Sequence, residues 1–132
     1  MSFDWNDFIL LAQEIRNQDL TELKEAKLRT VINRAYYGIF NLAFQKLLET
    51  ELPLEMTGSI HRNVAKSYEI QKHNPTKNSL GLILSELSAY RKEADYEVIM
   101  KSIQKQNFQN NKEFTNYCWK LVEKALELLE KI

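Results

Sequence analysis

The chain has 132 residues, 44% of them hydrophobic and 27% charged, and its formal net charge is zero. This length suits one domain and is too short for two, so we expect a single domain over residues 1–132, globular and helix-rich rather than disordered. The balanced charge gives no global sign of nucleic-acid binding, and the single cysteine, Cys118, excludes a disulfide framework and a paired-cysteine metal site.

The order of apolar and polar residues predicts helices along most of the chain. Apolar residues recur at helical spacing, and residues suited to N-caps (Asp4, Thr21, Ser59 and Ser79) precede four of the segments. The predicted helices span residues 4–17, 21–49, 60–73, 79–93 and 111–131, with a short helix at 98–104. Neither strand-like alternation nor an internal repeat occurs, so the sequence predicts an all-α fold, an antiparallel up-and-down bundle of four to five helices.

The second predicted helix forms the centre of this bundle, because its middle is apolar over most of its circumference. The apolar positions are Leu28, Ile32, Ala35, Tyr36, Ile39, Phe40, Leu42, Ala43 and Leu47. They leave a narrow polar seam, which consists of Lys27, Thr30, Arg34, Tyr37, Asn41 and Gln45. Gly38 lies on the same side, although glycine inside a helix costs about 1 kcal/mol relative to alanine. It either admits another helix, a second copy of the chain or a ligand, or relieves crowding among the aromatic neighbours.

The charge of Arg34 on so apolar a helix requires a partner. The sequence Arg-Lys-Glu-Ala-Asp-Tyr occupies residues 91–96, at the end of the fourth predicted helix. Asp95 is either a local cap or, like Arg91, turned toward the seam. Because an arginine–carboxylate pair would compensate a buried charge, we expect Arg34 to contact an acidic side chain, with Asp95 as the first candidate.

Basic residues are concentrated between residues 59 and 77, a segment with four basic residues and one acidic residue. They form either a phosphate-attracting surface or an ordinary solvated face. His61 falls in the first turn of a helix, followed by Arg62 and, one turn on, Lys66. It is either a surface or capping histidine or a candidate proton carrier. Because glycine-rich phosphate loops, zinc motifs and a serine elbow are absent, no metal or cofactor is expected.

The chain also shows no membrane or export signal. Its start lacks the basic and apolar regions of a signal peptide, and its longest uncharged run, residues 35–45, is too short to span a bilayer. We therefore expect a cytoplasmic protein with no membrane partner.

Three sequence elements together resemble the HEPN family, in particular its small stand-alone prokaryotic branch. They are Arg-Ala-Tyr-Tyr-Gly-Ile-Phe (34–40), His-Arg-Asn-Val (61–64) and Arg-Lys-Glu-Ala-Asp-Tyr (91–96), followed by a long C-terminal helix. The resemblance covers residues 22–131 and implies a helical bundle that often forms a homodimer. It also implies that many similar proteins are metal-independent endoribonucleases of toxin–antitoxin, CRISPR or antiphage systems, whereas others are noncatalytic or nucleotide-binding partners.

The nuclease motif of that family is an arginine followed, after four to six residues, by a histidine on the same helix. Arg34 matches the arginine, but Asn41 stands at the histidine position. An asparagine amide orients a hydroxyl group but has no pKa suited to moving a proton. Ala43 departs as well, because related toxins carry there the tyrosine that a nucleotidyltransferase antitoxin modifies.

Two functions follow as alternatives. The first is a component of a prokaryotic defence or toxin–antitoxin module that binds or cleaves RNA, in which Arg34 binds phosphate, Asn41 and Tyr37 position it, and His61 supplies the missing proton carrier. The second is a noncatalytic dimeric scaffold or nucleotide-binding subunit. The expected RNA- or partner-binding residues are Gly38, Arg62, Lys66, Arg91 and Asp95. The expected partners are a second copy along the polar seam, RNA or a nucleotide, and a nucleotidyltransferase or other defence protein.

Overall fold

The computed structural model describes residues 3–18, 23–97, 100–105 and 107–132. In these residues lie the helices α1 (Asn6–Arg16), α2 (Lys24–Leu48), α3 (Ile60–Glu69), α4 (Pro75–Tyr96), α5 (Lys101–Gln104) and α6 (Asn111–Glu130). No strand occurs within the described ranges. The prediction of an all-α bundle is thereby confirmed.

The central helix is α2, as predicted. It packs against α1 on one side and against α4 and α6 on the other, while α3 packs mainly on α4. The predicted apolar positions of α2 are buried, except that Leu42 is only partly buried. Cys118 lies in the same core, and burial raises the pKa of its thiol. It therefore packs as a small apolar side chain.

Several helix boundaries differ from the prediction. α4 begins at Pro75 rather than after Ser79, because Asn74 accepts a hydrogen bond from the backbone N–H of Lys77 (3.1 Å) and proline is tolerated in the first turn. α3 ends at Glu69 rather than at residue 73, and the side chain of Asn78 donates a hydrogen bond to the carbonyl of Glu69. The connection between α3 and α4 therefore has the expected length of five residues but lies four residues earlier, at 70–74.

The first helix also starts later than predicted. α1 begins at Asn6, whose N–H donates to the carboxylate of Asp4 (3.0 Å). Ser59 caps α3 as predicted, because its hydroxyl accepts from the N–H of Arg62 (3.3 Å). The predicted cap Thr21 and the predicted start of the short helix at residue 98 lie outside the described residues.

Gly81 sets the distance between α3 and α4. A Cβ atom on Gly81 would lie 2.7 Å from the carbonyl oxygen of Ala65 and 2.7 Å from the Cα of Glu69. Only glycine therefore lets the two helices pack this closely. This packing places the first turn of α3, with His61, beside the middle of α4.

Candidate functional site

Gly38, on the side of the predicted polar seam of α2, is covered by α1 from the same chain. A Cβ atom on Gly38 would lie 2.6 Å from Cγ1 of Ile9 and 3.1 Å from the carbonyl oxygen of Trp5. Gly38 therefore admits another helix, one of the expected alternatives, and that helix is α1. The expectation that Gly38 contacts a partner is corrected, because α1 occupies the space above its backbone.

Arg34 does not contact Asp95, contrary to the prediction. Its guanidinium donates to the side-chain oxygen of Asn33 and lies 4.7 Å from the ring centre of Phe8 and 5.5 Å from that of Tyr37. Asn33 in turn donates to both carboxylate oxygens of Asp95 (3.0 and 2.9 Å). The link between Arg34 and Asp95 therefore exists, but it passes through Asn33.

Asn41 is engaged by its own helix. Its side-chain nitrogen donates to the backbone carbonyl of Tyr37 at 2.9 Å. No hydrogen bond joins Asn41 to Arg34 among the described residues, and Gly38, which lies between them on α2, is under α1. The structure thus does not bring the two expected motif residues into one open site.

Among the residues that the structure describes, the buried charge is that of Arg91. This residue is 5% exposed, and its guanidinium lies 5.4 Å from the ring centres of both Tyr36 and Tyr37. It pairs with the carboxylate of Asp95 at 3.4 Å, while its Nε has no hydrogen-bond partner among the described residues. Asp95 therefore serves Arg91 directly and Arg34 only through Asn33.

His61 lies beside this arginine, at the start of α3. Its Nδ1 is 2.7 Å from the hydroxyl of Tyr36, and its ring stacks on Phe40 with the ring centres 4.1 Å apart. Burial lowers the pKa of His61 because it disfavours the charged ring, and the positive charges of Arg91 and Lys92 act in the same direction. The imidazole is therefore neutral at pH 7.

The hydroxyl of Tyr36 holds this histidine in place. Burial raises the pKa of Tyr36 to about 12, although a hydrogen bond with Ser88 and the charge of Arg91 act in the opposite direction. Because the hydroxyl keeps its proton, Tyr36 and Nδ1 of His61 form a hydrogen bond between neutral groups. Whichever of the two donates, Nε2 is the ring nitrogen that remains for a ligand.

His61 opens into a groove of about 250 Å³ between α3 and α4. The described residues that line it are Ser59, His61, Arg62, Ala65, Ser85, Ser88, Ala89 and Lys92. Lys66 is exposed on α3 but does not line the groove, and neither do Arg34, Tyr37, Asn41 or Asp95. Two of the expected residues, His61 and Arg62, are therefore brought together here. The ring of His61 also lies 5.9 Å from that of Tyr37 on the seam.

Four participants were not singled out from the sequence: Asn33, Tyr36, Ser88 and Lys92. A signal for part of this set was present, because Ser85, Ser88 and Lys92 recur at helical spacing and mark one polar stripe of α4. Tyr36 gave no such signal, since an aromatic residue in an apolar row is indistinguishable from ordinary core.

Other kinds of site are not found in the described part of the chain. No group of three or more His, Cys, Asp or Glu residues there is arranged to hold a metal ion. None of the helices within the described ranges is long and apolar enough to cross a membrane.

The sequence and the structure were compared with known proteins. The chain matches no family model, and neither the curated proteins nor the solved structures contain a significant match.

Proposed function

We propose that this protein is an RNA-binding, HEPN-like component of a prokaryotic toxin–antitoxin or defence module, and that it binds RNA phosphates in the groove between α3 and α4. The observation that carries the proposal is the chemistry of this groove. Arg62 and Lys92 supply two positive charges, His61 supplies an imidazole, and the serine side chains supply hydroxyl donors. No carboxylate occurs among its described lining residues.

This combination suits a phosphodiester better than it suits an uncharged ligand. Lysine and arginine attract the phosphate, and hydroxyl and backbone N–H groups position it. The N–H groups in the first turn of α3 add a favourable dipole at the same end of the groove. The formal charge of the whole chain is zero, so RNA binding depends on this local concentration of charge rather than on a global field.

Cleavage through the expected motif receives no support from the geometry. Arg34 is held by Asn33, and the amide of Asn41 is bonded to the backbone of α2. The residue best placed for proton transfer is His61, which is neutral and held by Tyr36. We therefore propose binding as the function, with any cleavage dependent on His61 and slow.

The test measures the affinity for a fluorescent single-stranded RNA as a function of salt. Each phosphate contact contributes about 0.7 to the slope of log K against log salt. Replacing Arg62 and Lys92 together with alanine removes two such contacts, so the slope should fall by about 1.4.

The matched control replaces two exposed lysines, Lys124 of α6 and Lys131 directly after it, with alanine. This variant loses the same charge but keeps the groove, and we expect the affinity of the wild type. Equal losses in both double variants would show that binding is nonspecific, and an unchanged affinity in the groove variant would exclude the groove.

The alternative function, a noncatalytic dimeric scaffold or nucleotide-binding partner subunit, is favoured by one observation. Arg34 and Asn41 are both engaged within the chain, as expected of a protein that has lost cleavage. If the groove variant binds RNA normally, a scaffold for a nucleotidyltransferase or another defence protein becomes the better proposal.

A further inference from the structure

A second cavity, of about 500 Å³, lies along the first half of α6. Its described lining residues are Phe108, Asn110, Lys112, Glu113, Asn116, Tyr117 and Lys120. None of these residues lines the groove between α3 and α4, so the two sites are separate. The volume falls within the range of ordinary small-molecule sites.

One wall of this cavity is an aromatic ring in a fixed position. Tyr117 donates a hydrogen bond to the carboxylate of Glu86 (2.6 Å), which raises the pKa of the phenol to about 12 and keeps it neutral. The ring centre of Tyr90 lies 5.8 Å away, nearly perpendicular, and that of Phe108 lies 5.2 Å away. Tyr117 nevertheless remains 36% exposed. A ligand that stacks on it would not have to order the ring first.

The other wall is a polar stripe on α6. Lys112, Asn116 and Lys120 follow one another at intervals of one helical turn, so they share one face of the helix. Neither lysine forms an ion pair with any described residue. Arg16 donates to the side-chain oxygen of Asn116 (3.4 Å), which leaves the NH₂ group of that amide as a donor. The one acidic lining residue, Glu113, accepts from the backbone N–H of Gln109 (3.4 Å) at the start of α6.

We propose that this cavity binds an unpaired nucleobase together with its phosphate. The base stacks on the ring of Tyr117, the amide of Asn116 donates to an acceptor on the base edge, and Lys112 or Lys120 binds the phosphate. The inference stands independently of the proposed function, because it uses none of the residues of the α3–α4 groove.

A base with its phosphate can contact both the ring of Tyr117 and the polar stripe of Lys112, Asn116 and Lys120. An apolar ligand would leave two lysines without an ion pair to any described residue, and an amide donor, unused. A simple anion would leave the exposed part of Tyr117 uncovered. Stacking of a base on an aromatic side chain is tolerant of sequence and strong enough to be measured by alanine substitution. The same chemistry is offered by a free nucleotide and by single-stranded RNA, and the probes below separate the two.

The experiment titrates the protein with adenosine 5′-monophosphate and follows backbone amide shifts of α6 by NMR. Parallel titrations use ribose 5-phosphate, which lacks the base, adenosine, which lacks the phosphate, and a short oligoadenylate. We expect the monophosphate to bind more tightly than either fragment. If the oligonucleotide binds much more tightly than the monophosphate, RNA is the source of the base, and if the two bind equally, a free nucleotide is.

The decisive variant is Tyr117→Ala, for which we expect roughly a tenfold loss of affinity for the monophosphate. Tyr96→Ala is its matched control, because Tyr96 is also exposed (75%) and lies outside the cavity. Equal binding of ribose 5-phosphate, or an affinity unaffected by Tyr117→Ala, would overturn the inference without bearing on the groove.

Discussion

His61 connects the chemistry of the groove to the stability of the fold. The titratable and charged groups that face it are Tyr36 and Tyr37 from α2 and Arg91 and Lys92 from α4. Burial and both positive charges lower the pKa of His61 in the folded state below the ordinary value of about 6.5. As the pH falls below about 6.5, the unfolded chain takes up the proton before the folded chain does, so the free energy of unfolding decreases. Well above pH 6.5, His61 is neutral in both states and adds no pH dependence.

Urea unfolding between about pH 7.5 and pH 5 measures this effect. His61→Gln should reduce the loss of stability on acidification. His73→Gln, at an exposed position outside the groove, should retain the wild-type profile. Identical profiles for His61→Gln and the wild type would contradict the expected contribution.

Asp95 compensates the buried charge of Arg91, so its loss should be costly. Asp95→Ala leaves a guanidinium side chain that is 6% exposed without its carboxylate, and it also removes the acceptor of Asn33. We expect the free energy of unfolding to fall by about 1–3 kcal/mol, measured by urea denaturation. The control is Glu127→Ala, which removes an exposed carboxylate paired with Lys131, and its stability should match the wild type. Equal stability of Asp95→Ala and the wild type would show that solvent compensates Arg91.

Asn33 illustrates which contacts could not be predicted from the sequence. The need of Arg34 for compensation and the importance of Asp95 followed from charge and burial alone. Neighbouring residues on a helix point about 100° apart, however, so Asn33 did not belong to the seam on which Arg34 was placed. The relay through Asn33, like the pairing of Tyr36 with His61, depends on side-chain positions that only the packed helices determine.

At the scale of helices, two glycines set the distances between neighbours, and we expect them to differ in tolerance. A Cβ atom on Gly81 would meet backbone atoms of α3, whereas one on Gly38 would meet mainly the side chain of Ile9. Gly81→Ala should therefore lower the free energy of unfolding by about 1–3 kcal/mol and Gly38→Ala by less, since a side chain yields more readily than a backbone. Ser85→Ala, at an exposed position of α4, is the control. A larger loss in Gly38→Ala would contradict the ordering.

The helices themselves were largely predictable, because their apolar periodicity is strong. α6 begins at Asn111 as predicted, and α2 has the predicted buried face. The errors fall at helix ends. Residues 74–78 were left between two predicted helices, but Asn74 caps α4 and Pro75 is its first residue. The position of α1 over Gly38 was not predictable either. A glycine inside a helix indicates that another group approaches closely, but it does not identify that group.

For the whole molecule, the position of α1 determines how a substitution at Gly38 should affect dimer formation. Homodimer formation remains a prediction, but a dimer contact at Gly38 would require α1 to leave that glycine. Gly38→Leu should therefore displace α1 and lower the stability, with no change in the sedimentation coefficient relative to the wild type at equal concentration. Leu82→Ala, at an exposed position on α4, is the control for a leucine change. A wild-type dimer that Gly38→Leu converts to monomer would restore the seam as the interface.

The last prediction concerns RNA cleavage in the presence of EDTA. We expect the wild type to be inactive or very slow, because general acid–base catalysis contributes typically 10²–10⁴-fold and Asn41 supplies none of it. Asn41→His alone should not create activity, since Arg34 is held by Asn33 and α1 covers Gly38 between positions 34 and 41. Any residual cleavage should disappear in His61→Ala and persist in Arg34→Ala. The opposite pattern, or a gain of cleavage in Asn41→His, would mean that the seam opens in solution and is the catalytic site.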